Sequence, residues 1–413
     1  MKILLIHQYF LGKSKGGGSR FNEMAKTWAD EGHEVTVLAS WPNISGKKNP
    51  EYEGKYVYHE KDYYKNIDVF RCHVSAAYNV SFKGRLWAYF TFVFSSLWAG
   101  LFKVKGKYDV LVVTSPPLFV GISAYILSIF KRLPLIFEVR DLWPESAIDL
   151  GVISNPWLVK FSYWFEKTIY KKAKLINVLT PAFREKLIKN KNIPAEKIIY
   201  IPNAADFSVA EKVAENFDAK KFRIQEGIDD KFVVTYIGAH GIANHLIQII
   251  EAAEKLQDTN VLFQLIGGGM TKNALMEEVK ARNLQNVRFI DHVSKPIAFK
   301  YILASDIGTS VLKKVDTFKT IYSNKTFDYM SCKKPVLLAI DGVSRQLVVE
   351  DANCGVFAEP ENPEDIANKI RQYLRGNFDM EKQGENGYKH AKKHFDREKL
   401  ALKYLKEMKR VLA

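Results

Sequence analysis

The chain has 413 residues, 47% of them hydrophobic and 26% charged. This is an ordinary globular composition but too long for one hydrophobic core, so two domains are expected. Three cysteines (Cys72, Cys332 and Cys354) lie far apart without a CxxC pair, which argues against a disulfide framework or a zinc site and fits a reducing cytoplasm. The net charge of +15 favours an anionic partner: a nucleic acid, an anionic membrane surface or a phosphorylated ligand.

Short apolar strands alternate with helices through the first half of the chain. They are predicted at residues 2–7, 34–40, 67–72, 109–115, 134–141, 175–180 and 197–203. The loop KGGGSR (15–20) separates the first strand from a helix that ends near Gly32. One face of that helix carries Phe21, Met24, Ala25, Trp28 and Ala29. Strands alternating with helices predict a doubly wound parallel sheet.

The longest apolar run, residues 86–102, is flanked by basic residues on both sides. Its 17 residues reach only the lower limit of the ~17–25 that cross a bilayer. The run therefore predicts a buried or half-buried helix rather than a span. The alternative is an in-plane contact with an anionic membrane surface, which basic flanks and aromatic residues suit.

The strand and helix alternation restarts in the second half. Residues 204–228 carry mixed charge without a strand pattern and are predicted to connect two domains. Strands follow at 231–238, 261–267, 287–293, 306–312, 335–340 and 355–360. A helix after the first of these carries Leu246, Ile249, Ile250, Ala253 and Leu256 on one face, and the last helix of the chain carries Ala401, Tyr404, Leu405, Met408 and Leu412. Each half thus predicts its own α/β domain.

Standard phosphate and metal motifs are missing from the sequence. GKS at 12–14 does not form a P-loop, because the first glycine of that motif would fall on His7. The glycines at 16–18 do not form a dinucleotide fingerprint, because its third glycine would fall on Phe21. A second cluster, residues 267–269, also lies between a strand and a helix. Glycines there allow a ligand to approach the backbone at a helix N-terminus. Neither DxD nor HExxH occurs, so no metal or cofactor is expected.

Several segments together resemble the retaining glycosyltransferases of family 4, which have the GT-B fold, and within them bacterial O-antigen and capsule transferases of the fucosamine type. The segments that carry the resemblance are 16–38, 114–121, 137–151, 201–206, 236–241 and 322–336. The resemblance implies two Rossmann-like domains facing across a cleft: an acceptor-binding domain at 1–205, a nucleotide-sugar-binding domain at 225–395, and a helix at 396–413 that returns to the first domain. It also implies transfer from a nucleotide sugar, here expected to be a UDP-linked N-acetylated or deoxy sugar, with retention and without a metal. The acceptor is expected to be lipid-linked or an oligosaccharide.

Donor-side residues follow from the resemblance position by position. The family's pair of glutamates falls on Thr320 and Asp328, so Asp328 is expected to accept the ribose hydroxyls while Thr320 departs from the pattern. Lys325 is expected to bind the diphosphate, because a lysine at a helix start is poorly placed unless an anion is nearby. His240 occupies the place of an arginine found in many relatives, and Lys272 is a second candidate cation. The remaining expected donor contacts are Gly238, Gly268, Gly269, Val293, Ser323 and Asn324.

Acceptor-side residues are expected in the first half. Arg140 and Asp141 replace the family's histidine and aspartate. They either clamp the structure as an ion pair, or Arg140 reaches the donor while Asp141 and Glu145 orient it or bind acceptor hydroxyls. Gly17, Gly18 and Ser19 are expected on the acceptor side, with Arg20 beside them.

Two other functions remain open at this stage. A nucleotide-sugar epimerase could use the same architecture without an acceptor. A nucleic-acid-binding protein would explain the charge but lacks the usual motifs. The basic, aromatic segment near 83–107 favours a membrane-bound acceptor, and hence a cytoplasmic enzyme held peripherally at the inner face of the membrane.

Overall fold

The protein was analysed as a computed structural model that describes residues 1–12, 20–41, 54–79, 82–149, 151 and 153–412. The chain divides into two compact units. Unit 1 comprises Met1–Pro202 and Glu398–Ala413, and unit 2 comprises Asn203–Arg397.

Unit 1 is built on an eight-stranded sheet in the order β3-β4-β2-β1-β5-β6-β7-β8. Its elements in chain order are β1 (Lys2–Ile6), α1 (Arg20–Asp30), β2 (Glu34–Ser40), β3 (Val57–Tyr64), β4 (Ile67–Cys72), α2 (Phe82–Trp98), β5 (Val110–Ser115), α3 (Val120–Phe130), β6 (Leu135–Val139), α4 (Glu145–Asp149), α5 (Pro156–Lys172), β7 (Leu175–Val178), α6 (Pro181–Lys191) and β8 (Ile198–Tyr200). The strands predicted from apolar runs are all present.

Strand β3 departs from the predicted all-parallel sheet, because it pairs antiparallel with β4 at the edge. Its sequence, VYHEKDYY, is largely polar and mostly half-buried or exposed. An edge strand has a neighbouring strand on one side only and need not be apolar throughout. The sequence of β3 therefore contains no apolar run that would indicate a strand.

The predicted apolar helix is α2, which starts four residues earlier than the run and continues as a π-helical turn over Ala99–Lys103. Ala88, Phe92 and Val93 of α2 are buried, whereas Trp87 and Phe94 face solvent. The helix is therefore half-buried. Within the described ranges, no helix combines the length and apolarity needed to cross a bilayer.

Unit 2 contains a six-stranded parallel sheet in the order β11-β10-β9-β12-β13-β14. Its elements are α7 (Phe207–Glu215), α8 (Ala219–Glu226), β9 (Phe232–Ile237), α9 (Ile247–Glu254), β10 (Val261–Ile266), α10 (Lys272–Ala281), β11 (Val287–Ile290), α11 (Lys295–Leu303), β12 (Ile307–Val311), α12 (Asn324–Ser331), β13 (Val336–Ala339), α13 (Val343–Arg345), β14 (Gly355–Phe357), α14 (Pro363–Leu374) and α15 (Met380–His394). The predicted apolar face of α9 is buried in the core of this unit.

The segment expected to connect the domains instead forms α7 and α8 and belongs to unit 2. Side-chain contacts explain the difference. Arg223 of α8 bonds the Ala304 carbonyl and Asp306 before β12, and Glu211 of α7 binds Lys392 of α15. Such long-range ion pairs leave no apolar pattern in the sequence.

The last helix, α16 (Arg397–Leu412), packs within unit 1. The Trp28 indole N–H donates to the Ala401 carbonyl at 3.0 Å, and the Tyr404 ring lies 5.6 Å from that indole. The predicted stripe is buried from Ala401 to Met408, but Leu412, in the final turn, is 40% exposed.

Candidate functional site

Two glycine loops of unit 2 meet at the carboxyl edge of its sheet, the edge where parallel α/β sheets bind ligands. The His240 backbone N–H donates to the Gly268 carbonyl at 2.9 Å, which joins the loop after β9 to the loop after β10. Gly267 has φ +136°, and a Cβ there would lie 2.1 Å from the Gly238 oxygen. Only glycine fits this approach, so the loops present backbone rather than side chains.

Lys325 lies beside these loops, in the first turn of α12. Its Nζ is 3.3 Å from the Ser323 hydroxyl and 4.9 Å from the centre of the Tyr236 ring, and its Cε lies 3.3 Å from where a Cβ on Gly238 would be. It forms no ion pair with any described residue. Burial lowers the pKa of Lys325 to about 8, against the opposing charge of Asp328. The ammonium is thus largely charged at neutral pH and has no carboxylate bound to it, which suits an incoming anion.

The position of α12 is set by Tyr329. Its hydroxyl donates to the Thr309 carbonyl at 3.0 Å and accepts from the Ile237 N–H at 3.2 Å, so it ties α12 to the middle of β12 and the end of β9. A Cβ on Gly308 would come within 2.3 Å of the Tyr329 ring. Because Gly308 of β12 has no side chain, there is room for the Tyr329 ring, which fixes the position of α12 and so of Lys325. No motif in the sequence pointed to Tyr236 or Tyr329.

Asp328, one turn further along α12, belongs to a charged network. Lys295, the first residue of α11, lies 3.7 Å from its carboxylate and 2.9 Å from that of Asp206. Burial raises the pKa of Asp328, and Lys295 and Arg397 oppose the rise. Burial also acts to raise the pKa of Asp206, but the same two cations hold it below its usual value. Lys295 and Arg397 were missed because the cations around a carboxylate come from distant elements.

His240 does not take the role expected of it. The side chain has no exposed surface, and its ring nitrogens have no hydrogen-bond partner among the described residues. Burial lowers the pKa of His240 to about 4, with help from the nearby charge of Lys272. A neutral, enclosed imidazole cannot replace an arginine on a phosphate.

The other expected donor residues differ in how available they are. Lys272 is bound to Asp291 at 2.5 Å and to the Gly267 carbonyl at 3.1 Å, so its charge is already partnered. The Thr320 hydroxyl donates to the Thr317 carbonyl at 2.6 Å. Gly269 and Asn324 are exposed, whereas Gly238, Gly268 and Val293 are partly exposed and Ser323 is buried.

At the carboxyl edge of the unit 1 sheet, Arg140 follows β6 directly. Its backbone N–H donates to the Ser115 carbonyl at 3.1 Å, and its Nε is buried without a partner in the described structure. Burial raises the pKa of Asp141 to about 6, although the charge of Arg140 and the neighbouring Leu142 and Ser146 oppose the rise. The ion pairs among described residues include none between Arg140 and Asp141, so the clamp alternative is not supported.

Two further expectations in unit 1 are corrected. Arg20 is buried and bonds Glu138 at 3.0 Å and the Ile201 carbonyl at 2.7 Å, which makes it a structural residue. Glu145 is bound by Lys191 at 2.5 Å, and Lys191 also binds the buried Glu166 at 2.8 Å. Arg20 is thus buried and neutralised, whereas Glu145 is held by Lys191 through one carboxylate oxygen and its other oxygen is buried without a partner among the described residues. Gly17, Gly18 and Ser19 lie outside the described residues.

Across the described ranges, no group of three or more His, Cys, Asp or Glu side chains could hold a metal ion. In unit 2 the candidate site therefore consists of two backbone loops, the partly shielded Lys325 and the carboxylate of Asp328. In unit 1 the candidate residue is the partly buried Arg140.

Two family models match consecutive parts of the chain. Residues 15–204 match the glycosyl transferase 4-like domain, and residues 218–390 match glycosyl transferases group 1. The chain therefore belongs to the glycosyltransferases built from these two domains.

Individual relatives agree with this assignment. The chain is 22% identical to the putative colanic acid biosynthesis glycosyl transferase WcaI of Escherichia coli, over 99% of this chain and 100% of that protein. Among solved structures, Anabaena HepE in complex with UDP matches with a TM-score of 0.71 and 17% identity, over 99% of this chain and 100% of that one. WaaG, a glycosyltransferase involved in lipopolysaccharide biosynthesis, matches with a TM-score of 0.70 and 18% identity, over 99% of both chains. These structural matches confirm the GT-B fold.

Proposed function

We propose that this glycosyltransferase moves a sugar, with retention and without a metal, from a UDP-linked N-acetylated or deoxy sugar to a lipid-linked or oligosaccharide acceptor in bacterial surface polysaccharide synthesis. The observation that carries the proposal is Lys325. An ammonium that is half-buried, partnered only by a hydroxyl and an aromatic ring, and set beside two backbone loops is arranged for a diphosphate.

The residues and loops of the proposed site have different roles. The Lys325 ammonium balances the charge that develops on the leaving nucleoside diphosphate. Backbone groups of the loops at Gly238 and Gly268 contact the donor, and Asp328 accepts hydrogen bonds from the ribose hydroxyls. Arg140, with its unpartnered Nε, and Asp141 serve the sugar and acceptor side. The UDP bound to HepE and the polysaccharide roles of WcaI and WaaG support the choice of donor and pathway.

The test is product analysis with a panel of nucleotide sugars, with and without an oligosaccharide acceptor. We expect one UDP-sugar to be consumed rapidly only when acceptor is present, with the anomeric configuration unchanged by NMR and with full activity in EDTA. Rapid conversion of the donor alone into another nucleotide sugar would favour the epimerase. An inverted product or loss of activity in EDTA would refute the corresponding part of the proposal.

We also propose that the enzyme is held peripherally at an anionic membrane through the segment near 83–107. The exposed Trp98 and Phe102, together with Lys103 and Lys105, are consistent with this contact. The side chain of Lys83 lies outside the described structure.

A further inference from the structure

Helix α5 exposes an aromatic stripe that the sequence analysis did not single out. Trp157 is 79% exposed and Trp164 is 60% exposed, with Phe161 between them at 37%. Their spacing of four and three residues places them on one side of the helix. The opposite side, which includes Ser162, Glu166 and Tyr170, is buried within unit 1.

The charge on the same helix has one sign. Lys160, Lys167 and Lys171 are exposed. The single acidic residue of α5, Glu166, is buried and bound to Lys191. A helix with exposed tryptophans, flanking lysines and no exposed acid has the composition of helices that lie in the plane of a membrane interface.

The stripe continues towards α2 through stacked rings. Phe161 stacks on Phe119 of the turn before α3 at 6.3 Å, and Phe119 stacks on Phe90 of α2 at 5.2 Å. Neither α2 nor α3 contains an acidic residue. Because Phe119 is fully buried, these rings connect the three helices below the surface and place α5, α3 and α2 side by side in unit 1.

We propose that the aromatic stripe of α5 (Trp157, Phe161 and Trp164) docks on an anionic lipid bilayer, as part of one surface with α2. The inference deepens the membrane contact proposed above by adding a second helix to it. The aromatic rings enter the boundary between head groups and acyl chains, and the flanking lysines face the lipid phosphates. A second copy of the chain fits less well, because a two-fold contact would bring these like charges together.

The experiment uses the full-length protein and vesicles of phosphatidylglycerol and phosphatidylcholine in equal parts. Sedimentation at low salt measures the partition coefficient. We expect Trp157→Ser, Phe161→Ser and Trp164→Ser combined to lower it at least tenfold, and Lys160→Glu, Lys167→Glu and Lys171→Glu combined to lower it on the order of a hundredfold. Wild-type binding should fall at high salt and be absent on pure phosphatidylcholine.

Matched controls separate docking from a general effect of the substitutions. Ile224, Met276 and Leu402 are exposed apolar residues outside the stripe, and changing all three to serine should leave binding unchanged. The pair Trp157→Phe and Trp164→Phe should retain most of the binding, because the apolar surface is kept. Every variant should keep the wild-type melting temperature and wild-type transfer to a soluble acceptor.

Three results would overturn the inference. One is a wild type that does not bind anionic vesicles; another is a serine triple variant that binds like its control. The third is a wild-type dimer in solution that the serine triple variant dissociates, which would make the stripe an interface between copies. If binding depends on α2 residues alone, the stripe is refuted while the contact near 83–107 stands. If the wild type transfers no sugar to a soluble acceptor, the transferase proposal is refuted instead.

Discussion

The two units use charge and aromatic surface in opposite ways. In unit 2, Lys325 is shielded at the ligand-binding edge of the sheet without a carboxylate partner, and the exposed large apolar residues are scattered aliphatic side chains such as Ile224 and Met276. In unit 1, the buried Arg20 is neutralised by Glu138, while tryptophans face solvent on α2 and α5. A shielded charge without a carboxylate partner marks a site for a small anion, whereas exposed aromatic residues beside lysines mark a surface for a large partner.

The largest effect is expected from altering the buried Arg20–Glu138 ion pair of unit 1. We expect Glu138→Gln to lower the free energy of unfolding of unit 1 by about 3–5 kcal/mol, because it leaves Arg20 as an uncompensated buried charge. All seven tryptophans lie in unit 1, so tryptophan fluorescence during urea unfolding reports on this unit.

An exposed ion pair serves as the control for that measurement. Glu185 pairs with Lys189 on the surface of α6. Glu185→Gln should therefore change the unfolding free energy by less than about 0.5 kcal/mol. Equal effects of the two substitutions would mean that the Arg20 pair is not structural.

Lys325→Ala should leave both units folded and reduce kcat by about 10²–10³-fold, which corresponds to about 2.7–4 kcal/mol of transition-state stabilisation. The physical reason is loss of the counter-charge for the leaving diphosphate. Steady-state kinetics with the identified donor provides the measurement. Activity within threefold of wild type would remove Lys325 from the site.

Lys325→Arg is the matched control, and pH distinguishes the two variants. Because the pKa of Lys325 is lowered to about 8, wild-type affinity for UDP should decline as the pH rises through that value and the ammonium loses its charge. The guanidinium stays charged, so the arginine variant should bind UDP without this decline. Calorimetric titrations at several pH values test the difference.

Asp328→Ala should weaken binding of UDP and of the donor alike by about 10–150-fold, since hydrogen bonds to a charged group contribute about 1.5–3 kcal/mol. Asp328→Glu should be tolerated, because a carboxylate remains in the same network. Calorimetry with UDP measures both. An alanine variant with wild-type affinity would show that the carboxylate serves only the Lys295 network.

The smallest expected effect comes from Lys295→Met. Ribose hydroxyls donate to an ionised carboxylate, so UDP affinity should fall as acid protonates Asp328. Burial already raises the pKa of Asp328 and Lys295 opposes the rise. Removing Lys295 should therefore move the acid loss of affinity to higher pH. Lys300→Met, an exposed change on the same helix, is the control and should not shift it.

The sequence predicted the elements better than the site. Apolar runs located β1, β2, β5 and β9 within one residue at either end, because buried parallel strands are apolar on both faces. The edge strand β3 was missed, since a polar strand paired on one side has no such run.

Whether a site residue could be predicted from the sequence depended on which residues surround it in the structure. Lys325 and Asp328 were predicted from the family resemblance, and both lie on α12 beside the glycine loops, but their roles stay predictions. Tyr329 and Lys295 were missed, because their importance comes from contacts with Thr309, Asp328 and Asp206. Arg20 and Lys272 resembled free cations in the sequence, but each is bound to a carboxylate.

The sequence by itself determined the alternation of strands and helices, the excess positive charge and the glycine clusters at 16–18 and 267–269, because these depend on local pattern and composition. Only the tertiary structure decided which charges remain available. Arg20 is neutralised by Glu138, 118 residues away, while Lys325 meets the Tyr236 ring instead of a carboxylate. Burial and partners depend on residues that are distant in the chain, so the availability of a charge is not a property of its own neighbourhood in the sequence.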